Sequence, residues 1–322
     1  MADFGSFKSK LNKQNISTEL SEPDVWISTG NMTLNHTMAR SFDVGIPNRR
    51  STMFWGPSGS GKSYIAGNAA KNAQENDYFV VYIDTEDAID ERYLTRIGVN
   101  MDEDAFMPIR ISTIEECSKV ISNLFQDTTP DDKVCVILDS LTMMETEQEF
   151  EKFQEKGELQ NDQGRTAKMY KSLIKNVNAK IGSRDMFFIY TAHAYENQEM
   201  FSAEKYNISG GNAQIYIPSI SVLMDKLPLK ESEGQKKVAK GFRMKTKIYK
   251  SRFGMLGDSC ELHIPYKTGI DPYDGLLERL TSEGFITKNH AWYVYKDSEG
   301  NEKKFQEKSA MEHLPEIMEQ IK

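Results

Sequence analysis

Short apolar runs alternate along the chain with longer stretches in which apolar residues recur every three or four positions. The short runs are typical of buried strands, and the longer stretches are typical of helices that bury one face. On this basis we predict strands at residues 51–55, 78–84, 133–139, 186–192 and 219–225. Alternation of strands and helices predicts an α/β fold, in which a twisted, mostly parallel sheet carries helices on both faces.

Two of the intervening stretches predict helices clearly. Residues 62–73 place small and apolar side chains on one side of a helix. Residues 165–181 place six apolar or aromatic residues at three- and four-residue spacings, namely Met169, Tyr170, Leu173, Ile174, Val177 and Ile181. We expect both helices to pack on the sheet.

The pattern divides the chain into an arm, a core and a small lobe. Residues 1–27 are polar, with a short helix predicted near residues 6–15, and are predicted to form an N-terminal arm. Residues 28–270 form one large core, in which the alternating, more polar residues 241–265 indicate an antiparallel extension of the sheet. Residues 271–322 are predicted to form a small α+β lobe.

The C-terminal lobe is predicted to contain two helices and one hairpin. The first helix covers residues 276–283, and the hairpin covers residues 292–305 with its turn at 297–301. The terminal helix is expected to be broken at Pro315 or to begin there, because proline lacks the backbone N–H that a helix interior needs.

Length and composition narrow the class of protein. A chain of 322 residues, 39% of them hydrophobic, is typical of a globular protein with one large core and an appendage. The apolar runs are too short to span a bilayer, and the first ten residues lack the apolar core of a signal peptide. We therefore expect a cytoplasmic protein that does not bind membranes. Cys117, Cys135 and Cys260 have neither disulfide nor zinc-site spacing and are expected to be buried or half-buried thiols.

The net charge of −8 would argue against a nucleic-acid partner, but the charge is unevenly distributed. Residues 225–252 contain ten basic residues and three acidic ones. Taken alone, this basic run is equally consistent with a solvated hairpin and with a surface that binds a polyanion.

A complete phosphate-loop pattern, G-x-x-x-x-G-K-S, follows the first predicted strand and precedes the first predicted helix. This order favours a nucleoside triphosphate site over a plain Gly/Ser turn, because the glycines let backbone N–H groups curl around the β-phosphate at the positive end of the helix. Lys62 would reach the β- and γ-phosphate oxygens, and the Ser63 hydroxyl would ligate Mg²⁺. The loop consists of Gly56, Pro57, Ser58, Gly59, Ser60, Gly61, Lys62 and Ser63.

Three further strands end in side chains suited to this chemistry. Asp139 ends an apolar strand of Walker B shape and would hold Mg²⁺ through its water shell, although apolar strands that end in aspartate are common. Glu86 follows a second strand, where it would orient and deprotonate an attacking water unless it is merely a solvated acid. His193 ends a third strand and would either report the γ-phosphate to the polar loop that follows or be an ordinary exposed histidine.

Taken together, these motifs resemble the RecA family of recombinases, and within it the UvsX type of T4-like bacteriophages. The resemblance covers nearly the whole chain. His193, at a position where bacterial members carry glutamine, favours the phage branch. Besides the phosphate loop, the matching segments are residues 27–30, 83–93, 97–99, 138–140, 193–202, 210–213, 250–252, 269–273 and 291–293.

The resemblance implies a RecA-like P-loop core and an ATP- and Mg²⁺-dependent enzyme. Such an enzyme forms a homo-oligomeric helical filament on single-stranded DNA, finds homologous duplex DNA and exchanges strands during recombination, repair and replication. A single-strand-binding protein and a mediator protein are the implied partners. Glu86 matches the family's catalytic glutamate, and Lys250 and Arg252 match two cations that reach the γ-phosphate from a neighbouring subunit.

The resemblance also implies where the adenine base lies. Asp90 and Tyr93 match the residues that hydrogen-bond and stack on the adenine. Tyr64, directly after the phosphate loop, and Tyr273 are further candidates for nucleotide contact.

Two DNA-binding loops are implied as well. The second loop corresponds to residues 193–211, in which Phe201 is a candidate for stacking on bases and Gly210 and Gly211 close the loop. The first loop should lie near residues 146–165 and end at Arg165. It departs from expectation because seven acidic residues between positions 145 and 162 face only two lysines, so phosphate contacts there would come from backbone N–H groups or from Arg165.

Other functions remain open on the sequence alone. A ring-forming helicase or clock-type ATPase with this fold generally needs a further domain, for which the chain leaves little room. An accessory paralogue that hydrolyses ATP poorly is disfavoured by the intact Lys62, Glu86 and Asp139. A small-molecule kinase would need an arginine-rich lid, which is not evident after Asp139.

Overall fold

The computed structural model describes residues 4–14, 21–87, 89–157, 163–197, 205–233 and 236–321. The helices are α1 (Phe4–Lys13), α2 (Met32–Ala39), α3 (Lys62–Gln74), α4 (Glu91–Ile97), α5 (Ile114–Asp127), α6 (Glu147–Lys156), α7 (Gln163–Ile181), α8 (Leu276–Ser282) and α9 (Ala310–Ile321). The strands are β1 (Trp26–Ile27), β2 (Ile46–Pro47), β3 (Ser51–Gly56), β4 (Phe79–Asp84), β5 (Phe106–Arg110), β6 (Val134–Asp139), β7 (Met186–Glu196), β8 (Tyr206–Ile208), β9 (Ile220–Glu233), β10 (Lys236–Ser251), β11 (Ser259–Pro265), β12 (Thr287–Asn289), β13 (Trp292–Lys296) and β14 (Glu302–Gln306).

Within the described residues, a nine-stranded sheet dominates the molecule. Its order is β11-β10-β9-β3-β7-β6-β4-β5, and β8 pairs with β7. The strands from β9 to β5 pair in parallel, whereas β10, β11 and β8 pair antiparallel. The predicted α/β fold with an antiparallel extension is confirmed. Strands β7 and β9 run past their predicted ends, because each continues into an antiparallel hairpin that pairs its extra residues.

Alternating side chains of the parallel strands fill two cores, one on each face of the sheet. Phe54 of β3 points to the face where α3 packs, and its neighbours Met53 and Trp55 point to the other face. That second face is covered by α5 and α7, whose apolar residues belong to the same core. This alternation with period two is what places helices on both faces of a strand that is buried throughout.

Helix α5, which the sequence did not single out, begins at a capping box. The Thr113 side chain accepts from the Glu116 N–H, and the Glu116 carboxylate accepts from the Thr113 N–H. This reciprocal pairing satisfies backbone groups that would otherwise lack partners at the helix start. Edge strand β5 was also missed, because three of its five residues are exposed and Pro108 interrupts it.

The C-terminal residues build a third core. Leu276 of α8, Tyr293 of β13 and Phe305 of β14 pack together with Leu314 of α9, and Phe42 joins them from the preceding part of the chain. The buried Arg279 of α8 ties this lobe to the rest of the molecule by donating to Thr37, Asp258 and the Ser259 carbonyl.

Helix α9 differs from the prediction, since it neither breaks nor begins at Pro315 but runs through it from Ala310. Pro315 lies in the second turn, so the bond it cannot make belongs to the carbonyl of Met311. The Met311 side chain is 58% exposed, which places that carbonyl on the solvent side of the helix, where water can replace the missing donor.

The cysteines are as predicted. Cys117 and Cys135 are buried and Cys260 is half-buried. Burial raises the pKa of the Cys117 thiol to about 12, so this thiol stays protonated near neutral pH. Among the described helices, none is long and apolar enough to cross a membrane.

Candidate nucleotide-binding site

The phosphate loop connects the buried strand β3 to α3 at the carboxyl edge of the sheet. Gly59 and Gly61 adopt φ angles of 70° and 98°, in the left-handed region that glycine tolerates. A Cβ atom on Gly61 would lie 3.2 Å from side-chain atoms of both Phe242 and Met244. The Ser60 hydroxyl is buried and has no hydrogen-bond partner among the described residues. A tightly curled loop with an unpaired buried donor suits a phosphate chain.

Lys62 extends into this curl. Its side chain is only 5% exposed, and Nζ donates to the carbonyls of Gly56 at 3.1 Å and Pro57 at 3.0 Å. Burial lowers the pKa of the ammonium, and the carboxylates of Asp139 and Glu86 partly oppose that shift. The site therefore holds a partly desolvated cation, whose attraction for an anion is stronger than it would be in water.

Glu86 and His193 meet across the mouth of the loop. His193 Nε2 lies 2.7 Å from Glu86 Oε1. The hydrogen bond from His193 is the main cause that lowers the pKa of Glu86, and burial opposes this shift. Both side chains line a cavity of about 220 Å³ together with Ser63. An ionised carboxylate in a small cavity beside the phosphate loop is suited to act as a general base.

Asp139 is held at the end of β6 by residues that the sequence reasoning missed. It is 8% exposed and accepts hydrogen bonds from the Tyr82 hydroxyl at 2.9 Å and from the Thr191 hydroxyl. The signal in the sequence was weak, because Tyr82 and Thr191 sit within apolar strands and only the sheet register brings them to Asp139.

Asp84 fixes the turn that carries Glu86. It lies opposite Asp139 in the sheet register, and its carboxylate accepts from the N–H groups of Glu86 and Ile89, each at 3.0 Å. The acidic strand end thus contains a turn-forming aspartate and, two residues later, the acid that reaches the cavity.

Ser63 and Asp139 are the side chains predicted to hold Mg²⁺. Ser63 is exposed at the start of α3, and Asp139 is nearly buried across the loop. Within the described residues there is no group of three or more histidine, cysteine or acidic side chains that could hold a metal. This sparse donor set fits Mg²⁺, which keeps several waters and takes much of its coordination from phosphate oxygens.

Three of the predicted nucleotide contacts, Asp90, Tyr93 and Tyr64, lie near one another on the aromatic side of the site. Asp90 caps α4 by accepting from the Tyr93 N–H at 3.2 Å, and the rings of Tyr93 and Tyr64 are 5.8 Å apart. The Tyr93 hydroxyl is buried and unpaired among the described residues. Tyr64 and Tyr93 line a cavity of about 600 Å³, in which Tyr266 also takes part.

Tyr273 lies elsewhere. It packs at the edge of the third core and lines a different cavity, against α8 and α9. Tyr266, seven positions earlier and not singled out from the sequence, lines the cavity of Tyr64 and Tyr93 instead. Gly269 lines the same cavity, and a Cβ there would lie 2.5 Å from the Tyr64 hydroxyl.

Lys250 and Arg252 lie at the opposite edge of the sheet. The Arg252 N–H donates to the Ser219 carbonyl, and the Ser219 N–H donates to the Ser51 carbonyl at the start of β3. The Lys250 ammonium donates to the carbonyl of Tyr216. Because the phosphate loop follows the far end of β3, about 17 Å separates the two ends of that strand. The structure does not bring these cations to Lys62 of the same chain.

The predicted DNA loops are only partly described. Strand β7 carries His193 and pairs beyond it with β8, and Gly210 and Gly211 follow with φ angles of 79° and 94°. Phe201 lies outside the described residues. In the first loop, most of the acidic residues fall on α6, and Arg165 at the start of α7 donates to Gln148.

The sheet with a phosphate loop between β3 and α3 defines the class of P-loop nucleotide-binding α/β proteins. The model of the RecA N-terminal domain family matches residues 10–271, so the chain belongs to the RecA family.

The individual relatives are distant in sequence, but each match covers most of both chains. The chain is 26% identical to Protein RecA of Desulforapulum autotrophicum over 297 residues, which cover 92% of this chain and 81% of that protein. It is 25% identical to Protein RecA of Aquifex aeolicus over 280 residues, covering 86% and 77%. The match to Protein RecA of Acidothermus cellulolyticus is 24% over 296 residues, covering 92% and 81%.

Proposed function

We propose that this chain is an ATP-dependent DNA recombinase of the UvsX type, which forms a helical filament on single-stranded DNA and exchanges strands with homologous duplex DNA. The observation that carries the proposal is the 2.7 Å contact between His193 and Glu86. It joins the acid of the nucleotide cavity to the strand that continues into the second DNA loop. DNA bound at that loop would thereby change the position of Glu86 and its hydrogen bond with His193.

The residues of the site divide the work of ATP hydrolysis. Lys62 and the loop N–H groups bind the β- and γ-phosphates, and Tyr64, Asp90 and Tyr93 hold the adenine, with Tyr266 beside them. Ser63 and Asp139 would hold Mg²⁺, which when bound neutralises phosphate charge. Glu86 orients the attacking water and accepts its proton.

Lys250 and Arg252 complete the site of the neighbouring subunit in this proposal. Their place at the opposite edge of the sheet from the phosphate loop supports this role, because a cation there is remote from the phosphates of its own chain. Repeated head-to-tail contact of this kind generates a helix when the rotation between subunits does not close a ring. Residues 1–27 would form the arm that packs on the adjacent protomer, ahead of the core at 28–270 and the lobe at 271–322.

The proposed DNA contacts lie in two loops. The second loop contributes Phe201, Gly210 and Gly211, and the first loop contributes Arg165 at its end. The proposed partners are a single-strand-binding protein and a mediator protein. The proposed location is the cytoplasm, which for a phage-encoded protein is that of the host cell.

The decisive experiment measures ATP turnover with and without single-stranded DNA. We expect DNA to stimulate the wild-type protein, Lys62→Ala to abolish nucleotide binding, and Glu86→Gln to bind ATP but turn it over about a hundredfold or more slowly. A strand-exchange assay on the same samples completes the test. Turnover that ignores DNA would contradict the proposal, and stimulated turnover without strand exchange would favour an accessory ATPase or a helicase.

A further inference from the structure

The Lys226 side chain lies close to the phosphate loop at Gly59. Strand β9 lies beside β3, with Leu223 opposite Trp55, so the residues that follow Leu223 come level with the loop. The Lys226 Nζ atom lies 3.4 Å from the position that a Cβ would occupy on Gly59. This is the turn of the loop, where the backbone curls around phosphate.

The Lys226 side chain also borders the nucleotide cavity. Its ammonium lies 5.2 Å from the centre of the Phe242 ring, and Phe242 lines the cavity that contains Glu86 and His193. Contact with an exposed aromatic face restrains a lysine side chain only weakly. The ammonium can therefore move a short distance toward an anion without breaking a strong contact.

Asp225 holds the backbone N–H of Lys226, whereas its charge is paired with Lys205. Its carboxylate accepts from Lys205 Nζ at 2.8 Å, the Tyr206 hydroxyl at 2.9 Å and the Lys226 backbone N–H at 2.8 Å. Burial opposes ionisation of Asp225, but these three donors outweigh it and lower its pKa. Among the described residues, the Lys226 ammonium itself has no carboxylate partner.

A bound triphosphate would bring several negative charges beside this ammonium. Lys62 reaches into the loop from α3, whereas Lys226 reaches the loop at Gly59 from β9. We propose that Lys226 is a second phosphate-binding lysine of the nucleotide site and acts within the same chain. The inference rests on the proposed function only in that the phosphate loop binds ATP.

The test is a titration with a fluorescent, non-hydrolysable ATP analogue and with ADP, in the absence of DNA. We expect Lys226→Ala to weaken binding of the ATP analogue by about three- to tenfold, as for loss of one partly exposed charge contact. Lys226→Arg keeps the charge and should stay within about twofold of wild type. The matched control is Lys288→Ala, which removes another lysine that lies on a ring, 4.7 Å from the centre of Tyr293 in the C-terminal lobe.

Lys62→Ala separates the two proposals. If Lys62→Ala binds the analogue as tightly as wild type, the proposed nucleotide site itself is wrong. If Lys62→Ala loses binding while Lys226→Ala binds like wild type and like Lys288→Ala, only the role of Lys226 is overturned. Equal weakening by Lys226→Ala and Lys226→Arg would also overturn it, because the charge would then not be what binds.

Discussion

Single side chains set the protonation of the candidate site. Glu86 would be a poor base if it were protonated near neutral pH, and the hydrogen bond from His193 is the main cause that lowers its pKa. The same histidine receives structural support from Thr142, whose hydroxyl accepts the His193 N–H at 2.8 Å. His193 is therefore positioned by β7 and by the turn that follows β6, whereas Glu86 is positioned by the turn that follows β4.

His193→Ala should change the pH dependence of turnover. Without its first stabilising donor, the pKa of Glu86 rises toward its ordinary value. A higher pKa keeps Glu86 protonated up to a higher pH, so the acidic limb of the pH–rate profile shifts to higher pH. We also expect DNA stimulation to fall about tenfold or more, with binding of ATP retained. His290→Ala, in an exposed turn of the C-terminal lobe, is the control; a profile shared by both variants would contradict the coupling.

How far the site can be predicted from sequence depends on how local each residue's role is. Lys62 and Ser63 follow from one contiguous motif, because the loop's chemistry is built by adjacent residues. Tyr266 could not be predicted, since only the folded chain brings it to the cavity that Tyr64 and Tyr93 line. Thr191 reaches Asp139 only through the pairing of β6 with β7.

At the scale of elements, the buried strands and helices α3 and α7 were predicted, whereas edge strand β5 and the amphipathic helix α5 were not. All five predicted strands occur, because long buried runs leave a strong apolar signal. Strand β5 lies at an edge and mixes polar and apolar residues, so its signal is lost. The ends of β7 and β9 were placed too early, since the residues beyond them mix polar and apolar side chains and pair only with the returning strands.

Gly56→Ala should disrupt the junction between β3 and the phosphate loop. A Cβ at this position would lie 2.0 Å from the carbonyl oxygen of Met224 on the adjacent strand, and a main-chain atom there cannot rotate away. We expect the free energy of unfolding in urea to fall by about 3 kcal/mol or more. Gly257→Ala is the control, because that glycine has φ of 82° and open space around it, so about 1 kcal/mol of backbone strain should be its whole cost. Equal losses for the two variants would count against the close approach.

Helix α2 packs on the C-terminal lobe through a buried histidine. His36 is 4% exposed and stacks on Phe42 with ring centres 4.3 Å apart. Burial, then the charge of Arg40, lower the pKa of His36 to about 4, against the partial opposition of Glu283. This junction therefore favours a neutral imidazole.

Acid should loosen the junction at His36. Since its pKa is lower in the folded protein than in the unfolded chain, the unfolded chain binds more protons between about pH 6.5 and pH 4, and stability falls as pH falls through that window. We expect His36 to contribute a loss of about 1 to 2 kcal/mol in the free energy of unfolding between pH 7 and pH 5. His36→Gln cannot gain a proton, so its unfolding free energy should fall less over the same range. Parallel pH curves for the two proteins would refute this.

At the scale of the whole molecule, the sheet separates two halves of the proposed catalytic site. The phosphate loop follows the carboxyl end of β3, and Arg252 lies beside its amino end. A site that needs both halves can form only between two copies of the chain. This arrangement could not be predicted from the spacing of residues, since it depends on β10 running antiparallel to β9.

Mixing two inactive variants should restore activity. We call the phosphate loop with Glu86 the phosphate half of the site, and Lys250 with Arg252 the cation half. Lys62→Ala destroys the phosphate half and Arg252→Ala destroys the cation half, so each protein alone should hydrolyse ATP poorly on single-stranded DNA. In an equal mixture, about a quarter of the contacts join an intact phosphate half to an intact cation half, and about that fraction of wild-type turnover should return. The control mixture, Lys62→Ala with Glu86→Gln, damages the same half twice and should stay inactive. Recovery in neither mixture would contradict a shared site.

The placement of Lys62 and Arg252 on opposite edges of one sheet has a consequence for the ends of the proposed filament. A row of n copies would contain only n − 1 finished sites, because the first subunit's cations and the last subunit's nucleotide would have no counterpart. The nucleotide at that last position would wait unhydrolysed until another subunit arrived. Turnover per subunit would then rise with length, and the two ends would gain and lose subunits at different rates.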